Sequence, residues 1–494
     1  MLFSSCVNKQ EDQTLQKPNV IIILADDLGY GDVSCYGSRT IHTPNMDRIA
    51  NEGLRFMQGY STAASSTPSR YSLMTGLYPW RNKNAKILPG DAPLIISTEN
   101  QTLPKIMKEA GYSTAAIGKW HLGLGNGNVD WNTLISPNPS DIGFEYSYIQ
   151  AATNDRVPCV FVENGKVDGL DPSDPIYVSY KENFEGEPTG KLNPELLKMH
   201  PSHGHDMSIV NGISRIGFMK GGKSALWTDE TMAEKFVEKA KKFLSEHKNQ
   251  PFFMYFGLHQ PHVPRVPNER FLGTSGMGPR GDAIMEADWE VGELLKCLDE
   301  LGLANNTIVI FSSDNGPVVD DGYQDRAVEL LGEHKPAGPL RGGKYSLFDG
   351  GTRVPFIVRW PNGIKAGTTS DAFVCQMDLL ASLAALNNVP LKQSFDSQNV
   401  LDALRGKSSE GRNELVIEGL TSLAYREGDW VLIPPSEGVA FKPLTGTDTG
   451  HSPDYQLYNL KTDLGQKINL AEKEPKQLEA MKARYEKLSN GAVI

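Results

Sequence analysis

Ser66-Thr67-Pro68-Ser69-Arg70, followed at a short interval by Thr75-Gly76, sets a hydroxyl and a guanidinium in a fixed pattern, S-x-P-S-R-x-x-x-x-T-G. Taken alone it describes a Ser/Thr-rich turn with Pro68 opening a helix. Its weight comes from residues elsewhere whose types suit the same chemistry. Asp26-Asp27 place two carboxylates side by side, which repel and resist desolvation unless a cation sits between them. Asp314-Asn315 add a third carboxylate and an amide carbonyl, hard oxygen donors of the kind Ca²⁺ or Mg²⁺ prefers. Lys119, His121, His259 and Lys344 supply cations and proton carriers.

These residues need elements to bring them together, and the hydrophobic pattern provides them. Asn19 to Leu24 is a β-branched apolar run, as in a strand buried on both faces, and it runs into Asp26-Asp27. Strands at Ser113 to Ile117, Phe252 to Phe256 and Thr307 to Phe311 end in Lys119/His121, His259 and Asp314/Asn315. The carboxyl ends of central parallel strands are where open α/β sheets hold ligands. Helices are expected from Thr43-Pro44 to Ala50, Thr102 to Gly111, Thr228 to Glu246 and Asp282 to Leu301; further strands run from Leu54 to Tyr60 and Phe356 to Arg359. Residues 126–223 lose periodicity and gather Gly, Pro and Asp, so substrate-shaping loops are expected there. They contain Asp155-Arg156 and His203-Gly204-His205. Asp155-Arg156 reads either as a polar fork for a ligand or as a pair bracing a loop, and the histidines as ligand recognition or plain loop.

Beyond about residue 405 short strands follow one another without βα crossovers (Glu414 to Glu418, Ser422 to Arg426, Trp430 to Ile433, Tyr455 to Asn459) and lead to a helix from Pro475 to Leu488. The expected organisation is a terminal tether (1–18), an α/β catalytic domain with a central, mostly parallel sheet flanked by helices (19–405), and a small antiparallel-sheet unit with one helix (406–494). A length of 494 residues suits a large domain plus a smaller one. The net charge of -11 argues against nucleic acid as partner, and an anionic substrate would need a locally basic pocket. Five scattered cysteines do not form a disulfide framework. Leu2-Phe3-Ser4-Ser5-Cys6 before a polar run is similar to the tail of a bacterial lipoprotein signal, with Cys6 as the lipidated residue; a periplasmic or cell-surface location is the expectation.

Taken in order, the set from Asn19 to the C-terminal helix closely resembles the type I sulfatases of the alkaline-phosphatase superfamily, and the implied fold is alkaline-phosphatase-like. The resemblance implies that Ser66 is oxidised to Cα-formylglycine by a maturase of the anaerobic type, and that Asp26, Asp27, Asp314, Asn315 and the modified Ser66 hold one Ca²⁺. It implies that a hydroxyl of the hydrated aldehyde attacks sulfur, that His259 and Lys344 protonate the leaving oxygen, that His121 serves as the base that releases sulfate, and that Arg70 and Lys119 hold the diol. Asp155, Arg156 and His205 are similar to residues of bacterial carbohydrate sulfatases related to the N-acetylgalactosamine-6-sulfatases. The expected activity is therefore an exo-acting 6-O-sulfatase on galactose or N-acetylgalactosamine, as at the ends of mucin or chondroitin glycans. The alternatives are a sulfatase acting on another sugar position, a phosphodiesterase or phosphonate hydrolase of the same superfamily, and a glycan-binding protein with unmodified Ser66.

Overall fold

The structure, a computed structural model, describes residues 17–489; Cys6 and nearly all of the expected tether lie outside the described residues. Ten strands form one large mixed sheet. In chain order they are β1 (Asn19–Ala25), β2 (Leu54–Tyr60), β3 (Ser113–Lys119), β4 (Tyr146–Gln150), β5 (Phe161–Glu163), β6 (Lys166–Val167), β7 (Phe252–Gly257), β8 (Thr307–Ser313), β9 (Phe356–Arg359) and β10 (Thr368–Cys375). Their spatial order is β10-β2-β9-β8-β1-β7-β3-β4-β5-β6. The central run β8-β1-β7-β3-β4 is parallel throughout, and the flanks bring in antiparallel pairings at β8/β9, β9/β2, β4/β5 and β5/β6.

β1 lies in the middle because its every residue is buried, as an Ile/Val run without alternation requires. The expected strands and helices are present, with shifted ends: the long helix starts earlier, at Gly278, and a 3₁₀ turn at Asp229–Thr231 precedes the helix that begins at Met232. Residues 126–223 depart from the expectation of loops alone. They contribute β4 to β6, a long-range antiparallel pairing of Tyr177–Ser179 with Phe218–Lys220, and a small hairpin of Ile209–Val210 with Ile213–Ser214. These strands are short and bounded by turns, so their periodicity is too brief to stand out in sequence.

A four-stranded antiparallel sheet (Glu414–Glu418, Leu423–Glu427, Trp430–Ile433 and Gln456–Asn459) carries the Pro475–Ser489 helix. Its apolar cluster includes Leu415, Ile417, Leu432 and Met481, and also Tyr60, Leu347 and Phe348 of the large unit. The small sheet is thus packed through a shared core onto the segment that follows Lys344.

The loop leaving β1 is pinned by charge. Asp32 is fully buried, and its carboxylate accepts from both terminal nitrogens of Arg280 at 2.9 and 2.7 Å and from His334 Nε2 at 2.7 Å. Burial works against its ionisation, but Arg280 and then His334 outweigh it and hold the carboxyl down at about 2. The stabilisation is complete above the ordinary carboxylate range and fades as pH falls toward 2. Removing one member of a buried pair costs on the order of 3–5 kcal/mol. Asp32→Asn is therefore expected to lower Tm by several degrees at pH 7 in thermal unfolding, with the gap to the parent narrowing below about pH 4 as Asp32 itself takes up a proton.

Candidate active site

Four neighbouring parallel strands, β8, β1, β7 and β3, end on the same edge of the sheet and deliver Asp314/Asn315, Asp26/Asp27, the 259–262 loop and Lys119 to one place. Gly118 permits the close packing at the end of β3: a Cβ there would lie 2.0 Å from the Gly257 carbonyl oxygen. Ser66 begins a helix, Ser66–Thr75, that is buried along its entire length. Its hydroxyl therefore sits at the positive end of a helix dipole. The helix stops at Gly76, which is left-handed at φ 67° and so suits a residue without Cβ; this accounts for the Thr75-Gly76 of the motif.

Ser66 Oγ donates to Asp314 Oδ2 at 2.6 Å and accepts from Arg70 Nε at 2.9 Å. Arg70, one helical turn on and wholly buried, also reaches Asp314 Oδ2 through its terminal nitrogen at 2.8 Å. Lys119 Nζ donates to Asp26, and Lys344 Nζ donates to Asp27 at 2.8 Å and to Asp321 at 2.7 Å. Asn315 Nδ2 donates to Asp27 at 2.7 Å. Asp27 adopts the left-handed region at φ 63°, a strained conformation of the kind functional sites retain.

The oxygens left over bear on a cation. Asp26 Oδ1 and Asn315 Oδ1 are buried and accept no hydrogen bond, and Asp26, Asp27 and His262 each offer a ligand atom within 4.8 Å of the others. Burial raises the Asp26 carboxyl well above the ordinary range; Lys119 opposes this, while Asp314 and Asp27 add to it. Crowded carboxylates with unsatisfied oxygens form a donor set that fits a hard divalent cation.

Next to this cluster is a small cavity of ≈ 80 Å³ lined by Ser66, His121, His262, Lys344, Tyr345 and Asp321, and also by Asp155, Arg156 and His205. The structure thus brings Ser66, His121, Lys344 and the three loop residues to one cavity, with Arg70, Lys119, Asp26, Asp27, Asp314 and Asn315 packed around its Ser66 end. His121 Nε2 donates to the Leu88 carbonyl at 3.0 Å, leaving Nδ1 without a partner, and burial followed by Lys119 keeps the ring neutral. Asp155 accepts from Arg156 at 2.8 Å and from His205 Nε2 at 2.9 Å. Burial opposes its ionisation, but Arg156, His262 and His205 hold it well below the usual carboxylate range.

His259 does not line this cavity, and the expected acid beside Lys344 is corrected accordingly. Its ring packs on Phe236 at 5.9 Å, and burial pushes it down to about 4. The histidine on the cavity wall is His262, whose Nδ1 donates to the Val263 carbonyl at 2.7 Å and whose Nε2 lies 3.9 Å from Asp27. The loop between them is fixed by Gln260: its carbonyl accepts from the Asp26 amide at 3.0 Å and its side chain donates to buried Glu286 at 2.8 Å. Position next to the strand end favoured His259 in sequence, but the chain turns after Gly257 and only the later histidine of His259-Gln260-Pro261-His262 reaches the cavity. Asp321 and Tyr345 were also missed; the adjacent carboxylates of Asp320-Asp321, like Asp26-Asp27, were a usable signal.

A profile of the family described as Sulfatase matches residues 18–389, most of the chain. The chain belongs to the sulfatase family. This sulfatase is 51% identical to the N-acetylgalactosamine-6-O-sulfatase of Bacteroides thetaiotaomicron, over 95% of this chain and 92% of that one. It is 32% identical to human steryl-sulfatase, over 82% of this chain and 73% of that one. A solved structure from work on the metabolism of multiple glycosaminoglycans by Bacteroides thetaiotaomicron superposes with a TM-score of 0.95 at 50% identity, covering 96% of this chain and 100% of that chain. The sulfatase is a sulfuric ester hydrolase.

The two histidines are separable by substitution in the matured enzyme. His262→Ala is expected to lower kcat for a sulfate ester by about 100-fold or more, the usual scale for a group that moves a proton. His259→Ala is expected to lower Tm while costing kcat less than about tenfold. Steady-state kinetics together with thermal unfolding read both; equal kcat losses would return His259 to the site.

Proposed function

We propose that this sulfatase removes the 6-O-sulfate from terminal galactose or N-acetylgalactosamine of host glycans. The observation that carries the reading is the Asp155-Arg156-His205 constellation lining the same cavity as Ser66. Its carboxylate and guanidinium suit two adjacent sugar hydroxyls. The 51% identical relative, named for N-acetylgalactosamine 6-O-sulfate, supports the same choice.

Ser66, oxidised by a maturase to formylglycine, would supply a hydrated aldehyde whose hydroxyl attacks sulfur. Asp26, Asp27, Asp314 and Asn315 would hold one Ca²⁺, which would offset charge on the sulfuryl oxygens and acidify the attacking group. The chain's own residues do the rest. Arg70 orients the oxygen on residue 66 through Nε, and Lys119 balances Asp26 within the same buried cluster. Lys344 stays protonated because Asp27 and Asp321 outweigh the cost of its burial. His262 is held neutral by burial and then by Lys344; an entering sulfate, being an anion, raises its proton affinity. His262 Nε2 and Lys344 Nζ are then the groups that hand a proton to the departing sugar oxygen. His121 Nδ1, free of any partner, takes a proton in the step that releases sulfate.

The test is sulfate release by a Ser66→Cys protein matured to formylglycine, offered galactose, N-acetylgalactosamine and N-acetylglucosamine sulfated at O6, O4 or O3. Release from the 6-sulfated galacto sugars alone is expected. Asp155→Ala should lower kcat/KM on them by about 100-fold or more, because the site's remaining polar groups lose their partner. Equal rates on gluco sugars would sink the proposed specificity.

A further inference from the structure

One cation that touches a cavity-lining residue belongs to neither the buried cluster nor the Asp155 constellation. Lys442 comes from the small C-terminal unit, on a two-stranded pairing of Phe441–Lys442 with Thr447–Asp448. Its Nζ lies 4.6 Å from the centre of the Tyr345 ring. Tyr345 lines the cavity and is held in the left-handed region at φ 74°, with its amide tied to the Ala64 carbonyl at 2.7 Å, two residues before Ser66. A tyrosine at positive φ is a strained position that the surroundings must enforce. The same ring carries Lys344 Nζ at 5.2 Å, so Tyr345 contacts both a lysine of the cavity lining and Lys442.

Lys442 is half-buried and makes no ion pair among the described residues. The one carboxylate that acts on it, Asp321, is already bonded to Lys344 at 2.7 Å. Burial lowers its proton affinity, Asp321 restores part of it, and Lys344 lowers it again. A chain of net charge -11 does not by default leave a half-buried ammonium unpaired beside its cavity. Phe441 and Leu444, on the same small ribbon as Lys442, are 54% and 60% exposed and offer apolar surface of the kind that sugar rings lie against.

We propose that Lys442, with Tyr345, forms a subsite for an anionic group on the sugar linked to the sulfated one. The ligand class is a carboxylate or second sulfate on that neighbouring residue. This inference rests on the proposed carbohydrate 6-O-sulfatase activity and deepens it: the enzyme favours the 6-sulfated residue when it is attached to an acidic sugar rather than to a neutral one. The small C-terminal unit is then part of the substrate site, reaching it across the shared core.

The experiment compares three substrates with the formylglycine-matured Ser66→Cys enzyme: 6-sulfated N-acetylgalactosamine, its disaccharide with glucuronate, and the methyl ester of that disaccharide. A fourth, the disaccharide bearing a sulfate in place of the carboxylate, separates the two anion sources. The parent is expected to show a KM about tenfold lower for an acidic disaccharide than for the ester. Lys442→Ala is expected to remove that difference through KM with kcat kept, Lys442→Arg to retain most of it, and kcat/KM on the monosaccharide to change less than twofold. Equal KM for acid and ester in the parent, or equal losses on all substrates in Lys442→Ala, would overturn the subsite. Titration of the acidic disaccharide and its ester into the unmodified Ser66 protein reads the same contrast without catalysis. Absence of sulfate release from every ester would count against the proposed activity, while that titration still decides for or against Lys442.

Discussion

Three carboxylates that share one buried space set the terms for this fold. Asp26, Asp27 and Asp314 are 0–1% exposed, and each would be neutral or displaced without compensation. Arg70, Lys119 and Lys344 cancel their charge, and Asp321 brings the group to one net negative charge. A divalent cation turns that into one net positive charge, the complement of a sulfate monoester. This balance links the sheet to the chemistry. The parallel run β8-β1-β7-β3 exists to end its strands side by side, and the buried Ser66–Thr75 helix exists to bring Ser66 and Arg70 to Asp314.

The pattern of compensation also divides the labour. Lys344, paired to Asp27 and Asp321, stays charged, whereas burial followed by a neighbouring lysine keeps His121 and His262 neutral. In the same cavity Asp155 accepts from Thr153, Arg156 and His205, and so presents a fixed anion with a fixed guanidinium. Both places use the same device, a buried charge held in place by its counter-charge, which the proposed function would use once for a cation and once for sugar hydroxyls.

Much of this was legible in the sequence. The apolar run of β1 and the strands ending at Lys119 and Asp314 announced a parallel sheet with ligands at its carboxyl edge, because continuous burial leaves an unmistakable composition. The SxPSR spacing, with Pro68 near its start and Gly76 at its end, marked the Ser66–Thr75 helix. What the sequence hid depends on loop geometry. His259 and His262 are alike in type and three residues apart, and only the path of the chain after Gly257 decides which ring enters the cavity. β4 to β6 were concealed by their shortness, and Lys442 by distance along the chain, since no local pattern connects residue 442 to residue 345.

The most direct test of the account is calorimetric titration of Ca²⁺ into metal-free protein with Ser66 unmodified, set beside Asn315→Ala. One cation per chain is expected, with affinity falling at least about tenfold in Asn315→Ala, which removes a buried oxygen that has no other partner. A folded protein that takes up no divalent cation, or an Asn315→Ala protein that binds as tightly as the parent, would contradict the claim that these carboxylates are arranged around an ion.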